Sequence, residues 1–323
     1  MFRAAEFEVG AIGLGCMGMS WGYGSDDRDD ERSIAVIHRA LNLGVTLLDT
    51  ADMYGPFTNE ELVGRALDGR RDEAVLATKC GLVVEDVVTK KIVRNGRPEH
   101  VRMSVDASLR RLRTDWIDLY QLHRVDEDVP IEETWGAMSE LVDAGKVRAI
   151  GLSEVSVEEL ERAQVIHPVA SVQSELSPWT RDPLAEVLPW CEEHGAAFIP
   201  FAPLGRGFLT GTVAPGTFGS DDVRATNPRF TDEAMAENRS IADEVAAIAD
   251  RASCTSAQVA LAWVLAQGRQ VVPIPGTKRI SYLEENVVAA EIELSQEELA
   301  ALDGLPVPGQ PRYRIAVSVS ADM

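Results

Sequence analysis

The chain has 323 residues, of which 45% are apolar, as in a soluble globular protein with room for a sizeable core. Its 52 acidic and 31 basic side chains give a formal charge of -21, which disfavours nucleic acid and anionic membrane surfaces as partners. The four cysteines are far apart and form no CxxC pair, so the sequence indicates neither a disulfide framework nor a metal site and favours a cytoplasmic location. The longest charge-free, largely apolar stretch, residues 255–268, is shorter than the roughly 20 residues that cross a bilayer.

Short apolar runs bounded by glycine, proline or charged residues recur along the whole chain, and they predict β-strands. Most runs are continuous rather than alternating, which is typical of strands that are buried on both faces. The eight predicted strands are residues 11–15, 45–50, 74–79, 117–123, 148–153, 170–175, 196–203 and 271–276.

Between these runs, apolar residues recur at helical spacing and predict crossover helices. The three clearest stripes are Ile34, Ile37 and Leu41; Val101, Val105, Leu109 and Leu112; and Ile131, Trp135, Met138 and Val142. Capping-box spacing predicts further helix starts after Ser156 and Ser295. Alternating strands and helices in this number predict a closed (β/α)8 TIM barrel of the α/β class, formed by residues 1–323 as a single domain with a helix and tail at about 295–323.

The seventh and eighth runs are separated by residues 204–270, far more than one helix requires. The first part, about 205–230, is rich in glycine and has no period, so it predicts a mobile loop on the functional face. Two helices are expected to follow it, over about 231–268. The alternative is an insertion without a function.

Polar side chains that end the apolar runs are the candidates for chemistry, because the carboxyl ends of barrel strands carry the active site. These are Asp49 with Tyr54 beyond it, Lys79, His123, Ser153 and Gln173. Each has a structural explanation when taken alone: a turn cap, a packed ring, a lysine that reaches solvent or a core histidine. Taken together, Asp49, Lys79 and His123 would each carry a desolvation cost of a few kcal/mol unless they were paired.

The pairing itself suggests a mechanism. A phenol titrates at a pKa of about 10, and a nearby ammonium group stabilises its ionised form. We therefore expect Lys79 to lower the pKa of Tyr54 and make it a better proton donor, with Asp49 holding Lys79 in place.

Seven motifs along nearly the whole chain resemble those of the aldo-keto reductase family. They are GLGCMGMS (13–20), LLDTADMYG (47–55), ATKCG (77–81), DLYQLHR (118–124), GKVRAIGLSEVS (145–156), PFAPLGRGFLTG (200–211) and IPGTKR with EEN (274–279 and 284–286). The long loop and the PLGRG segment resemble the bacterial and plant branches more than the mammalian aldose reductase branch.

The resemblance implies reduction of an aldehyde or ketone to an alcohol, with hydride supplied by NADPH. It makes Tyr54 the general acid, Lys79 and Asp49 its supporting pair, and His123 a neutral residue that orients the substrate carbonyl. The partner is then a small-molecule carbonyl compound. The motifs do not define the natural substrate, the physiological direction or the oligomeric state.

The same resemblance assigns residues to the cofactor. Ser153 and Gln173 would bind the nicotinamide carboxamide, and Phe201 would stack on the nicotinamide ring. Ala202 stands where the commonest family pattern has serine, so one hydroxyl contact is lost. The pyrophosphate would be covered by Leu204, Gly205, Arg206 and Gly207, with Arg206 adding a cation. The eighth strand and the helix after it would supply Gly276, Thr277, Lys278, Arg279, Glu285 and Asn286.

Lys278 and Arg279 form a cationic pair in a strongly acidic protein, at the position where the resemblance implies a ribose 2'-phosphate. NADPH is therefore favoured over NADH. Gly15 and Met17 are expected to line the cofactor cleft. The aromatic residues Trp21, Trp179 and Phe230 are candidates for the wall of the substrate pocket, with ordinary packing as the alternative.

Gly13, Gly15 and Gly18 also spell GxGxxG after an apolar run, which raises the alternative of a Rossmann nucleotide site. That site requires a helix directly after the glycines, yet residues 20–27 hold two more glycines and no helical stripe. We therefore reject it. Two other functions stay open: a nucleotide-binding regulatory subunit on the same scaffold, and a dedicated pyridoxal or keto-sugar reductase.

Overall fold

Parallel strands surrounded by helices organise the fold of this chain, whose computed structural model describes residues 2–4, 6–89 and 91–313. Within these residues the strands are β1 (Phe2–Ala4), β2 (Phe7–Val9), β3 (Leu14–Gly15), β4 (Leu47–Asp49), β5 (Val75–Cys80), β6 (Leu82–Asp86), β7 (Lys91–Arg94), β8 (Ile117–Leu122), β9 (Val147–Ser153), β10 (Ser171–Glu175) and β11 (Ala197–Phe201). The helices are α1 (Asp30–Asn42), α2 (Thr58–Ala66), α3 (Pro98–Leu112), α4 (Ile131–Asp143), α5 (Val157–Gln164), α6 (Val187–His194), α7 (Asp232–Glu237), α8 (Arg239–Ala252), α9 (Ser256–Leu265), α10 (Ile280–Val288) and α11 (Gln296–Asp303).

Seven parallel strands lie side by side in the order β3, β4, β5, β8, β9, β10, β11. Their register brings the polar strand ends to one edge. Asp49 pairs with Gly15 on one side and Ala77 on the other, and Gln173 pairs with Ser153. The carboxyl ends of the strands therefore form one rim, as the sequence predicts.

The eighth predicted strand closes this sheet into a barrel. The amides of Val272 and Ile274 donate to β11 carbonyls at 2.9 and 3.0 Å, while the carbonyls of Pro273 and Pro275 accept from Gly13 and Gly15 at 2.9 and 3.3 Å. Because proline has no N–H, the bonds toward β3 run in one direction only. The predicted (β/α)8 barrel is confirmed.

The helices begin where local chemistry favours a start. Both predicted capping boxes form: Ser156 and Ser295 each accept from a backbone amide three residues later, and Glu159 and Glu298 bond back to the cap. The apolar stripe of α1 faces the core, with Ile37 fully buried. No helix in the described part of the chain is long and apolar enough to span a bilayer.

Two antiparallel hairpins were not predicted. β1 pairs with β2, and Val9 at the end of β2 packs inside the barrel with Leu47 and Ala197, the first residues of their strands. The β6–β7 hairpin follows β5 directly, and its apolar residues pack near Tyr54.

The long connection after β11 differs from the prediction in one respect. Three helices, α7, α8 and α9, occupy the range where two were expected, because the chain breaks at Asn238 after the short α7. The segment before them crosses to the first loop, where the Val223 amide donates to the Gly22 carbonyl at 2.8 Å. Of the predicted C-terminal tail, residues 314–323 lie outside the described residues.

Candidate active site

A cavity of about 1050 Å³ opens at the carboxyl-end rim of the barrel. Most residues that the sequence assigned to catalysis or cofactor binding line it. They are Gly15, Met17, Trp21, Asp49, Tyr54, His123, Ser153, Gln173, Phe201, Leu204, Arg206, Gly207, Gly276, Thr277, Lys278, Arg279, Glu285 and Asn286.

Two aromatic residues do not behave as predicted. Trp179 stacks on Phe208 with ring centroids 4.2 Å apart, and its other contact is the edge of Phe230 at 5.6 Å. Both predicted residues are at least 95% buried in the core beneath the segment after β11. The prediction that Trp179 and Phe230 wall the substrate pocket is therefore wrong, whereas Trp21 does line the cavity. Gly205 is also buried, against the ring of Trp179.

Lys79 and Asp49 form a buried ion pair behind the cavity wall. Lys79 Nζ donates to Asp49 Oδ1 at 2.5 Å and to the carbonyl of Thr50 at 2.8 Å. Gln173 Nε2 and Gln121 Nε2 donate to the other carboxylate oxygen at 2.8 and 3.4 Å. Burial lowers the pKa of Lys79, although the Asp49 carboxylate opposes that shift. Because both charges are paired and hydrogen-bonded, the pair tolerates full burial.

Tyr54 lies between this pair and His123. Its ring centroid is 5.4 Å from Lys79 Nζ, and its ring meets that of His123 edge to face at 5.8 Å. The loop that carries Tyr54 is fixed by backbone bonds from Tyr54 to Ala51 and from Asn59 to Tyr54.

The ionisation of Tyr54 differs from the sequence prediction. Burial raises the pKa of the phenol well above its ordinary value, and the Asp49 carboxylate adds to that rise. Lys79 is paired with Asp49, so the two together present little net charge to the ring. The expectation that Lys79 makes Tyr54 more acidic is wrong for this structure, and the positive group that opposes the rise is Arg124. Tyr54 therefore keeps its proton well into alkaline pH.

His123 is also buried, and its Nδ1 has no hydrogen-bond partner among the described residues. Burial lowers the pKa of the imidazole well below its ordinary value, and the nearby cations Lys79 and Arg124 lower it further. The ring is therefore neutral at pH 7, as expected.

The far end of the cavity carries the predicted phosphate-binding cations. Lys278 Nζ lies 3.5 Å from Asp27 Oδ2, and Arg279 lies against the ring of Tyr282. In the same region, Glu285 accepts from the hydroxyl of Thr255 at 2.6 Å.

Arg206 differs from its predicted role. Its guanidinium donates to Glu175 at 2.9 Å and to the Tyr313 hydroxyl at 3.2 Å. Its charge is thus already neutralised by a buried carboxylate, and the expectation of a free cation for a pyrophosphate is not met. Residues 205–207 all have positive φ, which two glycines permit and which bends the chain over the cavity.

Two cavity residues were missed from the sequence. Tyr313 lies in the tail, where no pattern marks it. Arg124 follows His123 directly, and this adjacency was the available signal. Its Nη1 donates to the His123 carbonyl at 2.5 Å and to Ser153 Oγ at 3.1 Å.

Comparison with known proteins agrees with this geometry. A model of the aldo/keto reductase family matches residues 11–306. A curated relative, the probable aldo-keto reductase 1 of Glycine max, is 43% identical over 93% of this chain and 87% of its own length. The chain therefore belongs to the aldo/keto reductase family, and the resemblance drawn from the motifs is confirmed.

Solved structures of the same family are similar along almost the full chain. The glycerol dehydrogenase AKR11B4 from Gluconobacter oxydans is 33% identical, with a TM-score of 0.84 over 94% of both chains. An aldo/keto reductase from Klebsiella pneumoniae, solved with NADP and acetate, is 29% identical, with a TM-score of 0.71 over 97% of this chain and 98% of its own.

Proposed function

We propose that this protein reduces aldehyde or ketone carbonyls to alcohols with NADPH, and that Tyr54 donates the proton. The observation that carries the proposal is the meeting of Tyr54, the Lys79–Asp49 pair and His123 at one end of a cavity whose other end carries Lys278 and Arg279.

The residues of the cavity fit a nicotinamide dinucleotide. Ser153 and the Gln173 amide offer polar groups beside Asp49, and Phe201 offers an aromatic ring on the same wall. Lys278 and Arg279 offer positive charge at the opposite end, where a 2'-phosphate would need it. The Klebsiella pneumoniae relatives were solved with NADP and NADPH, which supports the same cofactor here. When bound, the cofactor supplies the hydride that the side chains cannot.

The side chains supply the proton and the position of the carbonyl. Because the pKa of Tyr54 is raised, its phenol stays protonated and can donate to the carbonyl oxygen. Neutral His123 offers a second polar group beside that oxygen without competing as an acid. Lys79, held by Asp49, attracts the face of the Tyr54 ring and keeps it in place. Arg124 opposes the charge that the phenol leaves behind.

Tyr54→Phe tests the proposal. It removes the proton and leaves the ring, so kcat for a simple aldehyde should fall by about 10²–10⁴-fold, the range for lost general acid catalysis. The Kd of NADPH, followed by protein fluorescence, should stay within about twofold because the hydroxyl is assigned to the carbonyl. The matched control is Tyr23→Phe on the same cavity wall, which should keep kcat.

Retention of a tenth or more of wild-type kcat in Tyr54→Phe would remove Tyr54 from the acid role. Failure of the wild-type protein to oxidise NADPH with any member of an aldehyde, ketone and pyridoxal panel would favour the regulatory subunit instead.

A further inference from the structure

Arg124 is a cation at the catalytic end of the cavity. It lines the same wall as Tyr54 and His123, at the carboxyl end of β8. Two of its contacts are neutral oxygens, the His123 carbonyl and Ser153 Oγ, and both use Nη1. Within the described ranges, neither Nε nor Nη2 of Arg124 donates to any protein atom.

Most other cations on or behind the cavity wall have an acidic partner. The pairs are Lys79 with Asp49 at 2.5 Å, Arg206 with Glu175 at 2.9 Å, Arg224 with Asp222 at 2.7 Å and Lys278 with Asp27 at 3.5 Å. Among the residues that the structure describes, Arg124 and Arg279 have no carboxylate within 4.0 Å. Arg279 belongs to the phosphate end with Lys278. Arg124 is therefore the unpaired cation near the carbonyl site.

The acids nearest to this region are already in use. Glu154 accepts from Arg312 at 2.9 Å, and Glu175 accepts from Arg206. A partly buried guanidinium with donors aimed into a cavity and no local counter-charge costs free energy in a chain that carries a net charge of -21. An anionic ligand that bonds to the two free donor groups would offset this cost, and arginine suits a carboxylate or phosphate because its planar fork bonds to two oxygens.

We propose that Arg124 selects carbonyl substrates that carry an anionic group, a carboxylate or a phosphate, close to the reacting carbonyl. The inference rests on the proposed function and narrows its substrate class. The anionic group is bound by Arg124 while the carbonyl oxygen lies at Tyr54 and His123. The charge of Arg124 influences the pKa of Tyr54 and of His123, which agrees with this short distance between the two ends of the substrate.

The experiment compares matched substrates. One pair is 4-oxobutanoate and its methyl ester; the other is glyceraldehyde 3-phosphate and glyceraldehyde. For each pair, the ratio of kcat/KM for the anion to that for its neutral partner measures the preference. Any loss that Arg124 causes through Tyr54 affects both members of a pair and cancels in the ratio.

The wild-type ratio should be at least tenfold in favour of the anion in one pair, and the preferred pair identifies carboxylate or phosphate as the group. Arg124→Gln should lower that ratio at least tenfold, chiefly through KM for the anion, and Arg124→Lys should retain part of it. Added salt should weaken the wild-type preference. The control Arg224→Gln, a paired cation on the same cavity wall, should leave the ratio unchanged.

An unchanged ratio in Arg124→Gln, or a wild-type ratio near one in both pairs, would overturn the inference while turnover of the neutral aldehydes upheld the proposed function. A large rise in the Kd of NADPH with an unchanged ratio would assign Arg124 to the cofactor and also overturn it. Absence of turnover for every substrate would overturn the proposed function itself.

Discussion

Asp52 is a buried carboxyl group two residues before Tyr54. It is 3% exposed, and its Oδ1 has no hydrogen-bond partner among the described residues. Burial raises the pKa of Asp52 well above its ordinary value, and the neighbouring carboxylate of Glu60 raises it further. Glu60 is itself bonded to Arg111 at 2.7 Å and to Thr78 at 2.6 Å. The folded protein therefore keeps Asp52 protonated at neutral pH.

This proton makes stability depend on pH. Above the ordinary carboxyl pKa the unfolded chain releases the proton and the folded chain does not, so the contribution of Asp52 to stability falls as pH rises toward its folded pKa. Asp52→Asn keeps the shape and removes the titration. We expect its urea midpoint, relative to wild type, to be higher at pH 8 than at pH 5.

Asp68→Asn is the matched control, since Asp68 lies exposed in a turn. It should shift the midpoint equally at both pH values. A difference for Asp52→Asn that is the same at pH 5 and pH 8 would contradict the assignment of a buried proton to Asp52.

At the residue scale, the sequence identified side chains whose position follows from a strand end. Asp49, Lys79 and His123 could be predicted because each directly ends an apolar run. Trp179 and Phe230 lie in segments without a period, so the sequence could not show which way they point. The raised pKa of Tyr54 could not be foreseen, because it depends on how far burial outweighs a charge that Asp49 already pairs.

At the scale of elements, the connection between the eighth strand and α10 carries the predicted cofactor preference. Lys278 and Arg279 lie there on the cavity wall, and Arg279 directly precedes the helix. A charge-assisted hydrogen bond contributes about 1.5–3 kcal/mol, which corresponds to roughly a tenfold to hundredfold change in affinity. Replacing both residues with alanine should weaken NADPH by that amount and NADH by less than threefold.

The Kd values of both cofactors, measured by calorimetry on the double variant and on wild type, check this prediction. Gln267→Ala, in the turn after α9 and outside the cavity, is a control that should change neither value. Equal losses for NADPH and NADH in the double variant would mean that the 2'-phosphate is bound elsewhere.

Elements with a clear period were predicted well, and the others were not. The stripes of α1, α3 and α4 and the capping boxes of α5 and α11 gave their positions because period and cap chemistry agree. The β1–β2 and β6–β7 hairpins were missed because their strands are short and rich in charged residues. The break between α7 and α8 has no proline or glycine to mark it.

At the scale of the whole molecule, barrel closure explains the glycines that imitate a nucleotide-binding motif. Gly13 and Gly15 lie where the first strand meets the eighth, and both donate backbone bonds across that seam. A Cβ on Gly15 would lie 2.8 Å from the carbonyl oxygen of Ile274, a backbone atom that cannot move aside alone. The seam therefore requires glycine for close approach, and the glycines do not begin a helix.

Gly15→Ala should consequently lower the free energy of unfolding by about 1–3 kcal/mol, the usual cost of overpacking. It should also weaken NADPH, since Gly15 and Gly276 across the seam both line the cavity. Gly18→Ala is the matched control three residues later: its Cβ would contact only the Tyr23 ring, at 3.4 Å, so the unfolding free energy should change by less than about 0.5 kcal/mol. Urea midpoints measured for the two variants and wild type check both values. Equal midpoints for Gly15→Ala and Gly18→Ala would show that the seam has room for a side chain, and that the approach of the first and eighth strands is not what requires glycine at position 15.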